Sequence, residues 1–138
     1  MMMMLLFACA GLFIQPEEGT YVVQLDDVDM DSACENIWGF ELEDELELEV
    51  DLGKNSMELN DEIECELDGT FFDCSYEAAE SIDDYDATVT TEQEMEGSWT
   101  SNTTFLADVS VVFGCLGSDC GDLSTDCVIE MTWDAELD

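Results

Sequence analysis

The chain contains no histidine, no arginine and a single basic residue, Lys54, set against 37 aspartates and glutamates for a formal charge of -36. Each absence removes a class of function. Without histidine, Ser-His-Asp and Cys-His nucleophilic chemistry lacks its general base. Without arginine or a glycine-rich loop leading to lysine, there is no phosphate cradle. Nucleic acid and anionic membrane surfaces are excluded as partners, because both need lysine and arginine to neutralise phosphate. Cations and basic partners are favoured instead. Proline occurs only at Pro16, and no apolar run approaches the roughly 18 residues of a transmembrane helix.

Such acidity would ordinarily indicate disorder, yet 46% of the residues are hydrophobic and they recur periodically, as a folded domain requires. A chain of 138 residues fits one domain with a modest core. Of its 7 cysteines, Cys34, Cys65, Cys74, Cys115, Cys120 and Cys127 follow Cys9 as an even set, which predicts three disulfides and an oxidising, extracytoplasmic setting. The turn dipeptide Asp68-Gly69 can bring Cys65 and Cys74 onto neighbouring strands. Cys115 can pair with either Cys120 or Cys127 across the loop 114–127, which is rich in glycine and aspartate. No CxxC pair accompanies these thiols, which disfavours the alternative of structural zinc.

Alternation of apolar and polar residues predicts strand after strand. Tyr21, Val23 and Leu25 share one face, then Leu42, Leu46, Leu48, Val50 and Leu52, then Met57, Leu59, Ile63, Cys65 and Leu67. Gly53-Lys54-Asn55-Ser56 reads as a hairpin loop. Later faces are Tyr85, Ala87, Val89 and Thr91, then Phe105, Ala107, Val109, Val111 and Phe113, and finally Ile129, Met131, Trp133, Ala135 and Leu137. Helix is expected only as single turns, one beginning at Ser32 with capping-box spacing to Glu35, another at 77–82. Gly97 is expected to mark a bend or bulge.

Placing Leu52 opposite Met57 fixes a register for the first hairpin, which puts Asp51 opposite Glu58, Glu47 opposite Glu62, Glu45 opposite Glu64 and Glu43 opposite Glu66. Like charges directly opposed destabilise a sheet, by roughly 0.2–1 kcal/mol a pair. Such pairing predicts a protein that gains stability with salt, since the Debye length shrinks from about 8 Å at physiological strength to about 3 Å at 1 M.

The strand count and hairpin connections predict an all-β fold, a small antiparallel meander closed as an up-and-down, lipocalin-like barrel, with a β-sandwich as the close alternative. A barrel interior has Phe71, Tyr85, Trp99, Phe113 and Trp133 as candidate liners for an apolar ligand. Asp27, Asp29 and Asp31 alternate like the first, third and fifth positions of a calcium loop. Ser32 then stands at the required glycine and Trp38 at the twelfth-position glutamate, so any calcium site here is not of helix-loop-helix type. No cofactor is otherwise implied, and the paired carboxylates Asp44 and Asp61 fall on nonadjacent pairs, so no enzyme is expected.

The start, Met-Met-Met-Met-Leu-Leu-Phe-Ala-Cys, resembles a bacterial surface lipoprotein through the lipobox-like Leu6-Phe7-Ala8-Cys9. The scarcity of lysine beside so many acids resembles marine or halophilic secreted proteins. The first resemblance implies a signal-like segment at 1–8 and lipidation of Cys9 followed by a tether to residue 19, while the cysteines and the alternation make 20–138 one disulfide-stapled β domain. It also implies a cell-envelope or surface location in which the membrane is touched only through the lipid anchor; without lipidation the protein is expected to be secreted. The expected role is an anchored structural or protein-interaction module whose partner is a basic envelope protein. The alternatives are a carrier of a small apolar ligand and a calcium-binding surface domain.

Overall fold

Residues whose side chains alternate between two environments form strands. The computed structural model, which describes residues 14–34 and 43–138, joins eight of them into one closed barrel. The strands are β1 (Gly19–Met30), β2 (Glu45–Gly53), β3 (Ser56–Leu59), β4 (Ile63–Asp68), β5 (Phe71–Ser81), β6 (Thr88–Ser101), β7 (Thr104–Leu116) and β8 (Cys127–Leu137). Each pairs antiparallel with its sequence neighbour, and β8 returns to β1. Closure leaves no free sheet edge and excludes the sandwich. Cys9, the segment before it, Trp38 and Leu42 lie outside the described residues.

The first hairpin has the expected register only at its tip. Val50 faces Leu59, Asp51 faces Glu58 and Leu52 faces Met57. The chain then reverses at 60–62, because Asn60 ties itself to Glu49 twice: its N–H donates to the Glu49 carbonyl and its Oδ1 accepts the Glu49 N–H at 2.8 Å. Asn60 and Asp61 both take positive φ, a conformation these two residue types tolerate better than most. The opposed pairs expected for Glu43, Glu45 and Glu47 therefore do not form.

Other like-charge pairs replace them. Glu58 faces Glu64, Glu66 faces Asp73, Asp73 faces Glu96, Glu96 faces Asp108, Glu77 faces Glu92, and Asp29 faces Glu130. Glu66, Asp73, Glu96 and Asp108 thus form one lateral acidic row across four strands. The outer wall is acidic where a membrane-spanning barrel presents an apolar band, and no helix among the described residues is long and apolar enough to cross a membrane.

Two expected helical features change. Residues 77–81 continue β5, since Ala78 and Ala79 pair with Thr91 and Thr90 of β6, and backbone pairing overrides a weak local helix preference. The turn near Ser32 is capped one residue earlier, by Asp31, whose Oδ1 accepts the Ala33 N–H at 3.5 Å. Gly97 sits in regular pairing with Phe72 and Ala107, and the register shift falls between Trp99 and Ser101 instead.

All six cysteines within the described residues form disulfides. Cys65 and Cys74 are direct cross-strand partners, with Cα atoms 4.1 Å apart. Cys115 closes the β7–β8 loop onto Cys120. Cys34 joins Cys127 over a sequence separation of 93, fastening the end of the β1 excursion to the start of β8. In the chain-entropy picture a loop that long contributes about 4.6 kcal/mol, against about 2.6 kcal/mol for one of nine residues.

Candidate functional site: the barrel interior

Inward residues fall into rows that follow the strand pairing. One row is Trp99, Phe105, Ala135, Val23 and Leu46; the next is Leu67, Phe72, Gly97, Ala107, Trp133 and Leu25. Small residues stand between the large ones, which is what lets so many rings enter one barrel. The clearest case is Gly97, where a Cβ would lie 2.4 Å from the Phe72 ring and 2.5 Å from the Leu106 carbonyl oxygen. The ring occupies the space a side chain would need.

The aromatic rings meet edge to face or tilted, the arrangement their quadrupoles favour. Trp99 and Phe105 have centroids 4.9 Å apart, Phe72 and Phe105 5.4 Å, and Tyr21 and Trp99 5.5 Å. The following row, Met57, Cys65, Cys74, Met95, Val109 and Met131, is rich in sulfur, hence polarisable and adaptable in shape. Tyr21 apart, no charged or polar side chain among the described residues is fully enclosed.

Polar atoms inside this lining are therefore conspicuous. The Tyr21 hydroxyl donates to the Glu17 carbonyl at 2.6 Å, and burial, reinforced by the Glu17 carboxylate, pushes its pKa up to about 12. It stays a neutral phenol. The indole N–H groups of Trp99 and Trp133 and the Gln93 side-chain nitrogen are buried without any hydrogen-bond partner among the described residues. Leaving such a donor unpaired costs ~1–3 kcal/mol. Each such group calls for an explanation of its own.

Of the expected liners, Trp99 and Trp133 are inside, at 2% and 5% exposure, and Phe113 is half-buried against the core. Phe71 and Tyr85 are outside, 67% and 66% exposed. Phe71 is outside because the Cys65–Cys74 bond turns Cys74 inward, and Phe72, two residues away on the same face, goes with it. Tyr85 lies in the loop between β5 and β6. Phe72, Tyr21, Phe105 and Gln93 are the liners the sequence reading did not select. For Phe72 the signal was present in the even spacing from Cys74.

The outer wall carries two acidic concavities. One, of about 750 Å³, is lined by Asp27, Asp29, Asp73, Glu96, Asp108 and Glu130 among others; the second, of about 770 Å³, by Asp51, Glu58, Glu64 and Glu66 among others. Asp27 and Asp29 reach the first groove at the β1 irregularity, where Asp27 has a φ of 50°. Asp31 belongs to the helical turn instead, so the three alternating aspartates do not converge. No group of three or more acidic or thiol side chains among the described residues is arranged to hold a metal ion. Compared with family models, curated proteins and solved structures, the chain matches none.

Proposed function

We propose that the barrel carries a small apolar molecule in its interior. Eight strands enclose a space that is either filled by side chains or holds one small ligand. The observation that favours the ligand is the pair of buried indole N–H groups left without acceptors in an otherwise apolar, aromatic lining. Binding rather than catalysis is the reading, because among the described residues the interior presents donors and apolar surface and no carboxylate or amine. Three disulfides suit an oxidising compartment, and lipidation at Cys9 would hold the carrier at the cell envelope.

The direct test is saturable binding of a neutral fluorescent apolar dye, N-phenyl-1-naphthylamine, to the full chain. The reading expects one site per chain and quenching of tryptophan emission as the dye fills. Absence of saturable binding by the folded protein would overturn it. A second reading draws on the acidic row Glu66, Asp73, Glu96 and Asp108, which supports a surface module for cations or a basic envelope protein. Capture of a basic partner at low salt, released as salt is raised, would favour that role.

A further inference from the structure

We infer that the interior selects a neutral molecule bearing a hydrogen-bond acceptor, such as a ketone or ester carbonyl, over the carboxylate of the same chain length. This rests on the carrier reading and names the chemistry of its ligand.

Trp99 faces Phe105 across β6 and β7, while Trp133 faces Ala107 across β7 and β8. Phe105 and Ala107 are successive inward residues of β7, so the two indoles project from the strands flanking β7, one row apart. Their N–H groups are buried and lack acceptors, and an indole nitrogen can only donate. The Tyr21 hydroxyl has already spent its proton on the Glu17 carbonyl. What these two indoles lack is an acceptor, and a ligand carbonyl supplies one without introducing charge.

A carboxylate would also accept, but it would enter with nothing to neutralise it. No charged residue is buried among the described residues, and the chain's only base, Lys54, occupies the exposed turn between β2 and β3. An unpaired anion in an apolar medium carries a large desolvation penalty. The field of a chain with net charge -36 opposes its entry further. A protonated amine suits that field but presents only donors to indole donors. The sulfur-rich row of Met57, Met95, Met131 and the Cys65–Cys74 bridge can mould itself to the alkyl or aryl body that follows the carbonyl.

The experiment measures displacement of N-phenyl-1-naphthylamine from the full chain at neutral pH by 2-heptanone, heptanoate and heptane, in wild type, Trp133→Phe and Trp99→Phe. The ketone should bind at least about tenfold more tightly than heptanoate, because both can accept from an indole but only the carboxylate carries the desolvation penalty of an unpaired charge. At least one phenylalanine variant should weaken the ketone about fivefold or more and leave heptane unchanged, because it removes the N–H and keeps an aromatic ring. Heptanoate binding as tightly as the ketone to wild type overturns the inference, and that comparison needs no variant. Equal losses for ketone and heptane in the variants overturn it too, since they would mark a packing effect. In either case dye binding would still stand, whereas failure of the dye itself to bind defeats the carrier reading.

Discussion

Glu96 stands at the centre of the lateral acidic row, opposed by Asp73 on β5 and by Asp108 on β7. Replacing it with lysine converts two like-charge contacts into two opposite ones. Relief of the two repulsions is worth roughly 0.4–2 kcal/mol, and the new attractions add a further fraction that solvent exposure keeps small. A net gain of about 1–2 kcal/mol at low salt follows. For a domain of 138 residues that corresponds to about 3–6 °C in melting temperature. Glutamate and lysine are both mildly disfavoured in strands, so intrinsic propensity contributes little to the difference. Thermal melts followed by circular dichroism at about 20 mM and about 1 M sodium chloride are the assay. At the higher salt the Debye length of about 3 Å is shorter than the cross-strand Cβ separation of about 4.5–5.5 Å, and most of the gain should vanish. An unchanged melting temperature at low salt, or a gain of the same size at both salts, would refute the electrostatic account.

The wild-type protein should itself melt higher as sodium chloride rises, and matched ionic strengths of sodium and calcium chloride should act alike if screening alone is responsible. Removing the Cys34–Cys127 bridge by double alanine substitution should lower stability by up to about 4.6 kcal/mol, more than loss of Cys115–Cys120, because the closed loop is so much longer; denaturant midpoints for the two variants provide the comparison. Gly97→Val should unfold the domain or displace Phe72, as its Cβ meets the ring and the Leu106 carbonyl, and near-ultraviolet circular dichroism should lose its aromatic signal. The Asp86 carboxyl is held below the usual range by the Ser118 N–H and hydroxyl, so it stabilises the fold above its unfolded pKa and that contribution is lost as pH falls through the lower, folded value. Ser118→Ala should shrink the acid-side loss in a melting profile. Asp51 behaves oppositely: desolvation, Asp61 and Glu18 raise its pKa, so its charge weakens the fold at neutral pH, and Asp51→Asn should raise the melting temperature there and lose that advantage in acid.

Legibility in the sequence followed the strength of alternation. The inward faces of β1, β7 and β8 are those the apolar spacing predicts, from Tyr21-Val23-Leu25 to Ile129-Met131-Trp133-Ala135. The Leu52–Met57 register was readable because a tight turn fixes its own strands. Its continuation past Leu59 was not, because the Asn60–Glu49 hydrogen bonds that reverse the chain leave no mark in hydrophobic spacing. Two adjacent phenylalanines made the parity of β5 ambiguous, and only the disulfide partner of Cys74 decides that Phe72 is the inward one. The orphan indole donors were invisible for a different reason: a tryptophan's burial can be read from alternation, but whether its N–H meets an acceptor depends on every strand around it.

The claim that these donors await a ligand is tested most directly by the indole N–H signals of Trp99 and Trp133 in 15N-correlated nuclear magnetic resonance spectra as 2-heptanone is added. The account predicts that at least one of the two moves downfield and becomes slower to exchange with solvent, with saturation at one ketone per chain. Both signals unmoved at saturating ketone, in a protein whose backbone amides show it folded, would contradict the assignment of the barrel interior as the binding site.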